Sequence, residues 1–448
     1  MGICHRYAKY EAPSDDQHPG QYLMYLDANN LYGHGMSQYL PVRCFEWMKD
    51  CDVSLVSSES ILAMSESAQS GMILEVDLEY PDCLHDQHRD FPLAPEHLTI
   101  TSDMLSNYQT TLLQKTQIKH HESRKLVPNL YNKSHYIVHY INLKFYLSHG
   151  LKLTKIHRIL QFQQEPWLKS FIAFNTLQRS LATSKFSQDL FKLINNATFG
   201  KTMENKRHRR TITLVSTACQ LEKLSSQPTF KSFRIFSENL IAVERYASSL
   251  CLNKPIFTGF SVLDLSKHHM YQFHYDFIKI NYPDSASTLL FMDTDSLCYS
   301  INTHDIYHDF LQHSDLFDFS NYSASHPNYS TTNKKKIGKF KDENAGVLMT
   351  EFVGLRAKCY SFTTNDGGEV KKGKGIKKSV IQSKLRHQHY KSCLFTQELN
   401  YQSMNTFRTH NHHVSTFMQT KLSLNCFDDK RYITSDGVTT LPYGHYSI

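Results

Sequence analysis

The stretch Leu289-Leu-Phe-Met-Asp-Thr-Asp-Ser-Leu-Cys-Tyr299 sets a short polar centre between two apolar runs. Apolar runs broken this way predict two buried strands and a tight turn, a β-hairpin with Asp293 and Asp295 at its tip. Residues two apart on a strand share a face, so both carboxylates are aimed into one space. Like charges that close repel unless a cation stands beside them, and hard oxygen ligands suit Mg²⁺. An ordinary polar turn has the same composition, and Asp-x-Asp alone does not separate the two readings.

Other carboxylates and cations occur in similar settings. Tyr22–Leu26 predicts a strand with Asp27 at its end, a turn at Asn29-Asn30 and a helix from about Leu31. A carboxylate at the end of a buried strand must be paired or ligate a metal. Residues 165–205 predict two helices, the first carrying Arg179 and the second capped by Ser187. On the second, Lys192, Asn196 and Phe199 fall at i, i+4 and i+7, and Gly200 continues the stripe. A cation, an amide, a ring and bare backbone in one row suit a phosphate and a flat base. A partly buried helix with a snorkelling lysine gives the same row. Glu351–Phe362 has strand composition, which puts Lys358 and Tyr360 on one face.

Gly71–Tyr80 predicts a strand, and Tyr136–Gly150 a strand followed by a helix. Residues 205–255 begin basic and turn irregular, 259–282 predict a helix, and 304–333 a loop-rich insertion. Beyond residue 365 the chain is basic, then helical to about Leu399, and 428–445 predict a terminal hairpin. The basic groups are Lys206–Arg210, Lys334–Lys336 and Lys371–Lys378, the last including Lys374 and Lys377. Any one of them taken alone is better read as a solvated face or flexible loop. His85 and His88, His120 and His121, and His410, His412 and His413 lack metal-ligand spacing and are expected at the surface.

A chain of 448 residues needs neither disulfides nor a structural metal to bury a core. Its ten cysteines are scattered, without a C-x-x-C pair, which excludes a zinc ribbon and suits a reducing compartment. The expectation is therefore an intracellular protein, nuclear or cytoplasmic. No apolar run approaches the ~18 residues that span a bilayer, so no membrane partner is expected. A net charge of +7 permits nucleic-acid binding.

In order, these motifs resemble the polymerase region of family B DNA polymerases. Tyr25-Leu-Asp-Ala-Asn-Asn-Leu-Tyr-Gly33 is similar to motif A, Lys192-Leu-Ile-Asn-Asn-Ala-Thr-Phe-Gly200 to motif B, and Phe291-Met-Asp-Thr-Asp-Ser296 to motif C. Lys358-Cys-Tyr360 resembles the Lys-x-Tyr motif. The wording around motifs A and B is similar to the protein-primed branch, in particular the polymerases of Polinton/Maverick transposons. Asn30 stands for the family's Ser, Gly33 for Pro, Ala197 for Ser, and Phe199 and Phe291 for Tyr.

The resemblance implies an α/β (α+β) right-hand polymerase whose antiparallel palm sheet carries the acids. Residues 1–20 would be a linker remnant, with Gly2-Ile3 left from an interdomain Gly-Gly. The palm would be 21–50 and 256–365, and the fingers 151–205. Residues 51–150 and 206–255 would be insertions like terminal-protein regions 1 and 2, and 366–448 the thumb and C-terminal hairpin. The implied reaction is DNA-directed DNA synthesis from dNTPs with two Mg²⁺ ions, for which Mn²⁺ can substitute. Asp27, Asp293 and Asp295 would be catalytic, with Asp27, Asp295 and the Ala28 carbonyl on the metals. Tyr32, Arg179, Lys192, Asn196 and Phe199 would hold the nucleotide. Gly200, Thr294, Lys358, Tyr360, Lys374 and Lys377 would hold the DNA template-primer. A terminal priming protein is a further partner of that branch. Family B enzymes carry a 3′–5′ exonuclease before motif A; the 26 residues ahead of Asp27, with Glu11, Asp15 and Asp16, offer no such site. A non-catalytic nucleic-acid-binding remnant of a transposon polymerase is the rival reading, and a metal nuclease a weaker one.

Overall fold

The computed structural model describes residues 4–6, 10–11, 20–410 and 413–448. Gly2, Ile3, Asp15, Asp16 and His412 lie outside the described residues.

The apolar runs around the acids form the centre of an antiparallel sheet. Its strands run in the order Cys4–Arg6, Ser287–Asp293, Ser296–Asn302, Gln21–Ala28, Met349–Arg356, Cys359–Thr364 and Glu369–Lys372. Phe340–Asp342 also pairs with Gln21–Ala28, and Tyr10–Glu11 with Met349–Arg356. The central hairpin is buried on both faces, which is why its sequence reads as continuous hydrophobicity rather than alternation. One face packs Leu290, Phe291, Phe352, Tyr360 and Phe362 together, while Leu26, Leu289, Met292 and Leu297 join the main core on the other.

That main core is closed by the helix Ile256–Gln272, which continues through a π-helical turn at Phe273–Ile278. Its buried His274 ring meets the Tyr299 hydroxyl at 2.9 Å. A second antiparallel sheet, ordered Leu40–Trp47, Lys152–Glu165, Ser70–Glu79, Lys133–His139, adds its apolar face to the same core. The helix Tyr140–Ser148 follows its last strand.

Residues 211–245 are not irregular. Thr211–Val215, Leu240–Arg245 and Phe230–Ser237 pair into a sheet, with the helix Ala218–Ser225 packed on a small core of Val215, Ile241 and Val243. So small a core leaves most strand residues exposed on both faces, and the alternation that announces a strand is lost. At the other end, helices Lys378–Lys384 and His387–Phe395 lead into a long hairpin, Asn400–His410 with His413–Leu424. The expected terminal hairpin is present as Tyr432–Ile433 with Thr440–Leu441.

Candidate active site

Two neighbouring strands bring the acids together. Asp27 is the penultimate residue of Gln21–Ala28 and stands opposite Ser296 in the register. The Ala28 N–H donates to the Asp295 carbonyl at 2.7 Å, so the turn of the hairpin is fastened to the end of the Asp27 strand. Within the turn the Asp295 N–H returns to the Asp293 carbonyl at 2.8 Å, and Thr294 has φ +64°. A β-branched residue in the left-handed region is a strained choice that the surrounding structure has to hold in place.

The acids have cations beside them. Lys341 lies opposite Asp27 on the adjoining strand, with Nζ 3.5 Å from Asp27 Oδ1 and 2.6 Å from Glu343 Oε1. Lys358 Nζ reaches both oxygens of Asp293 at 2.7 Å. Burial pushes the Asp27 carboxyl up to about 7; Lys341 opposes the shift, and Asp295 and Glu343 add to it. Burial raises the Asp295 carboxyl too, reinforced by Asp293 and opposed by Lys192. The Lys341 ammonium is raised, because Asp27 and Glu343 outweigh its burial. Asp27 therefore stays elevated despite its lysine: the cost of burying the charge exceeds what one partly buried cation returns.

The chain then turns through Asn30, at φ +47°, into the helix Leu31–Met36. A Cβ on Gly33 would stand 2.2 Å from Asn30 Nδ2, so the two motif A departures fit each other: the amide fills the space the glycine leaves. Gly35 lets the same helix close on Val262 and Ser266. Tyr32 is half-buried and stacks on Phe199, with ring centroids 4.2 Å apart.

Phe199 belongs to the second of two helices, Lys169–Leu181 and Lys185–Thr202. The cap is Ser184, not Ser187: Ser184 accepts the Ser187 N–H at 3.1 Å, one turn earlier than its sequence suggested. Lys192 and Asn196 are exposed on this helix, and a Cβ on Gly200 would meet nothing within 4 Å. Arg179 is half-buried, its Nε without a hydrogen-bond partner among the described residues. Thr294, Tyr32, Phe91, Lys267 and Met292 line a small cleft of about 20 Å³ next to the acids.

Lys358 and Tyr360 do not share a strand face. Lys358 sits in a turn at φ +59° between Met349–Arg356 and Cys359–Thr364, two strands where the sequence suggested one. Tyr360 is buried against Phe291 at 4.4 Å, its hydroxyl 3.4 Å from that of Tyr25. Lys374 and Lys377 are exposed, whereas Lys371 of the same run is bonded to Glu369 and the Leu385 carbonyl. His85 and His88 are buried rather than superficial; the His88 ring meets the Tyr80 hydroxyl at 2.8 Å, and the His85 ring accepts the Tyr446 N–H. His120 is also covered, 3.1 Å from Asp429, while His121, His410 and His413 are exposed.

Sequence reasoning missed Lys341 and Glu343. Both follow from the pairing of Phe340–Asp342 with the Asp27 strand, which nothing in the local sequence announces. Among the described residues no group of three or more His, Cys, Asp or Glu converges as a metal cage. Asp27 and Asp295 are the pair whose charge has least compensation, and two hard oxygen donors in mutual repulsion suit a divalent cation. No helix among the described residues is long and apolar enough to cross a membrane.

No protein-family model matches the chain, and no curated protein is similar to it at a significant level. Solved structures are similar. One is phi29 DNA polymerase complexed with primer-template DNA and incoming nucleotide substrates, at a TM-score of 0.50 and 16% identity, covering 94% of this chain and 61% of that one. Another, the orthorhombic crystal form of phi29 DNA polymerase, gives 0.48 and 15% over 95% and 61%. The chain thus spans about three fifths of the length of the polymerase it matches, and over that span it has, as a mixed helix-and-sheet chain, the fold of phi29 DNA polymerase.

Proposed function

We propose that this chain is a DNA-directed DNA polymerase that transfers nucleotides from dNTPs to a primer 3′-hydroxyl on a DNA template. The observation that carries the reading is the meeting of Asp27 and Asp295 at two fastened strand ends, beside the stacked Tyr32 and Phe199. The fold likeness supports it, and the neighbour's own complex is with primer-template DNA and nucleotides.

Asp27 and Asp295, with the Ala28 carbonyl, would hold two Mg²⁺ ions, or Mn²⁺. The metals would stabilise charge on the attacking and leaving oxygens of an in-line displacement at the α-phosphate. Lys192 and Arg179 supply positive charge for the triphosphate, and Asn196 a polar edge. The Tyr32 ring, braced by Phe199, occupies the volume a ribose 2′-hydroxyl needs. Lys358, Lys374 and Lys377 are accessible to primer-template phosphates, and Thr294 and Gly200 leave backbone open to close approach. Tyr360 acts from the core, holding the strand that follows Lys358. These strands, the paired helices and the C-terminal hairpins take the places of palm, fingers and thumb. Within this class the motif wording favours the protein-primed branch and its transposon members.

Primer extension with purified protein tests the reading. Wild type extends a matched primer in Mg²⁺, and Asp295→Ala loses extension while keeping primer-template affinity. Wild-type protein that binds primer-template but adds no nucleotide in Mg²⁺ or Mn²⁺ refutes it.

A further inference from the structure

The strand Ser287–Asp293 contains a β-bulge. Leu289 pairs with Tyr299 and Phe291 with Cys298, so Leu290 is one residue extra. The core contacts show the consequence. Leu289 packs in the main core, Leu290 and Phe291 both pack on the opposite face, and Met292 returns to the main core. Side chains on a regular strand alternate, so a one-residue insertion reverses the phase of everything after it. Asp293 consequently shares a face with Phe291, where Lys358 meets it two residues from Tyr360. Without the bulge, Asp293 would point to the other side of the sheet.

The residue just before the bulge turns its N–H to the outer edge of the strand, beyond the reach of Cys4–Arg6, which among the described residues pairs only with Phe291–Asp293, and inside a core that N–H needs another partner. Here the Leu289 N–H donates to Asp90 Oδ2 at 3.1 Å, with both residues buried. Asp90 comes from far away in sequence, on the segment between the second sheet and the core. Lys279 Nζ, 3.8 Å away, and Arg89 Nε, 3.5 Å away, offset its charge. Its neighbour Phe91 is tied through its carbonyl to the Tyr275 hydroxyl at 2.6 Å and lines the cleft beneath Tyr32 and Thr294.

We infer that Asp90 is a positioning residue for the acidic turn: by holding the Leu289 N–H it keeps the bulge in place, and the bulge aims Asp293 and Asp295 toward Asp27. It touches no substrate and ligates nothing. The role rests on the polymerase reading only for its effect on rate; its effect on the acid pair does not depend on which reaction the pair serves.

The test compares Asp90→Ala with Asp90→Asn, which keeps an acceptor oxygen for the Leu289 N–H. Mn²⁺ affinity is read by electron paramagnetic resonance, and steady-state extension by kcat, dNTP KM and primer-template Kd. Groups that orient metal ligands typically matter by about 10- to 100-fold. Asp90→Ala is expected to lose at least about tenfold in Mn²⁺ affinity and in kcat, with primer-template Kd unchanged, and Asp90→Asn to recover most of both. Wild-type Mn²⁺ affinity in a folded Asp90→Ala overturns the inference, as does a loss confined to primer-template binding. If Asp90→Ala does not fold, Asp90→Glu, whose carboxylate is displaced by one methylene, must still show weakened Mn²⁺ binding for the inference to stand. If wild type fails to extend primers while Asp90→Ala still weakens Mn²⁺ binding, the polymerase reading falls and the positioning role survives.

Discussion

Replacing Asp27 with asparagine separates what the site does for function from what it does to stability. The Asp27 carboxyl is pushed up to about 7 from an ordinary 3.8. Between about pH 4 and 7 the folded protein therefore keeps a proton that the unfolded chain has released. Stability falls as pH rises through that window, and above pH 7 the loss is complete. A shift of about three units corresponds to at most ~4 kcal/mol. Unfolding entropy of about 2 cal/mol/K per residue, over 448 residues, turns that into a Tm difference of up to ~4 °C. Asp27→Asn removes the penalty together with the repulsion between Asp27 and Asp295 that contributes to it. In metal-free buffer the variant is expected to melt above wild type at pH 8 and level with it near pH 4. Millimolar Mg²⁺ should reverse the order, stabilising wild type and leaving the variant nearly unmoved. Thermal melts from pH 4 to 8, with and without Mg²⁺, read all of this. A variant that melts no higher than wild type at pH 8 refutes the argument from burial. Equal stabilisation of both proteins by Mg²⁺ refutes Asp27 as a ligand.

Three further outcomes are expected. Tyr32→Ala should lower discrimination between dCTP and CTP by at least about tenfold in single-nucleotide additions, since the stacked ring is the only bulk removed; unchanged discrimination would leave Tyr32 as packing alone. Lys358→Met should weaken primer-template binding and flatten the slope of log affinity against log salt by about one, as for a single lost phosphate contact, and an unaltered slope would confine Lys358 to its pairing with Asp293. Gly33→Ala should destabilise by about 1–3 kcal/mol through its clash with Asn30, but be neutral or stabilising by up to ~1 kcal/mol in an Asn30→Gly background; equal losses in both backgrounds would show that the two departures are not coupled.

What was legible in the sequence was local. The hairpin around Asp293 and Asp295, the strand-end Asp27 and the row Lys192, Asn196, Phe199 all follow from spacing within a few residues. What was not legible depends on partners far along the chain. Lys341 matters because its strand pairs with that of Asp27, and nothing near Lys341 announces that pairing. His85 and His88 read as surface residues because their spacing suits no metal, yet Tyr446 and Tyr275, from distant segments, pack against them. Lys358 was placed on a strand because a two-strand run of apolar composition hides the turn inside it. The bulge at Leu290 was invisible for a related reason: a strand buried on both faces has no polar alternation whose phase could be seen to slip.

The three acids are not equivalent, and the reason lies in how each is compensated. Asp293 is held by both oxygens to Lys358, an exposed side chain that can stay with it in solvent. Asp27 shares Lys341 with Glu343, so its compensation is divided. Asp295 has no ion pair within 4 Å among the described residues, only the more distant field of Lys192. Repulsion at Asp295 and Asp27 is therefore relieved most by a new cation placed between them, whereas a cation at Asp293 would first have to displace a lysine. A divalent ion entering this cleft gains more from Asp27 and Asp295 than from Asp293. The turn reinforces that order: the Ala28 N–H fastens the Asp295 backbone to the Asp27 strand, leaving the two side chains little freedom to separate. Loss of Asp293 should accordingly do less harm to metal binding than loss of either of the others, although Asp293 stands in the same motif and only two residues away.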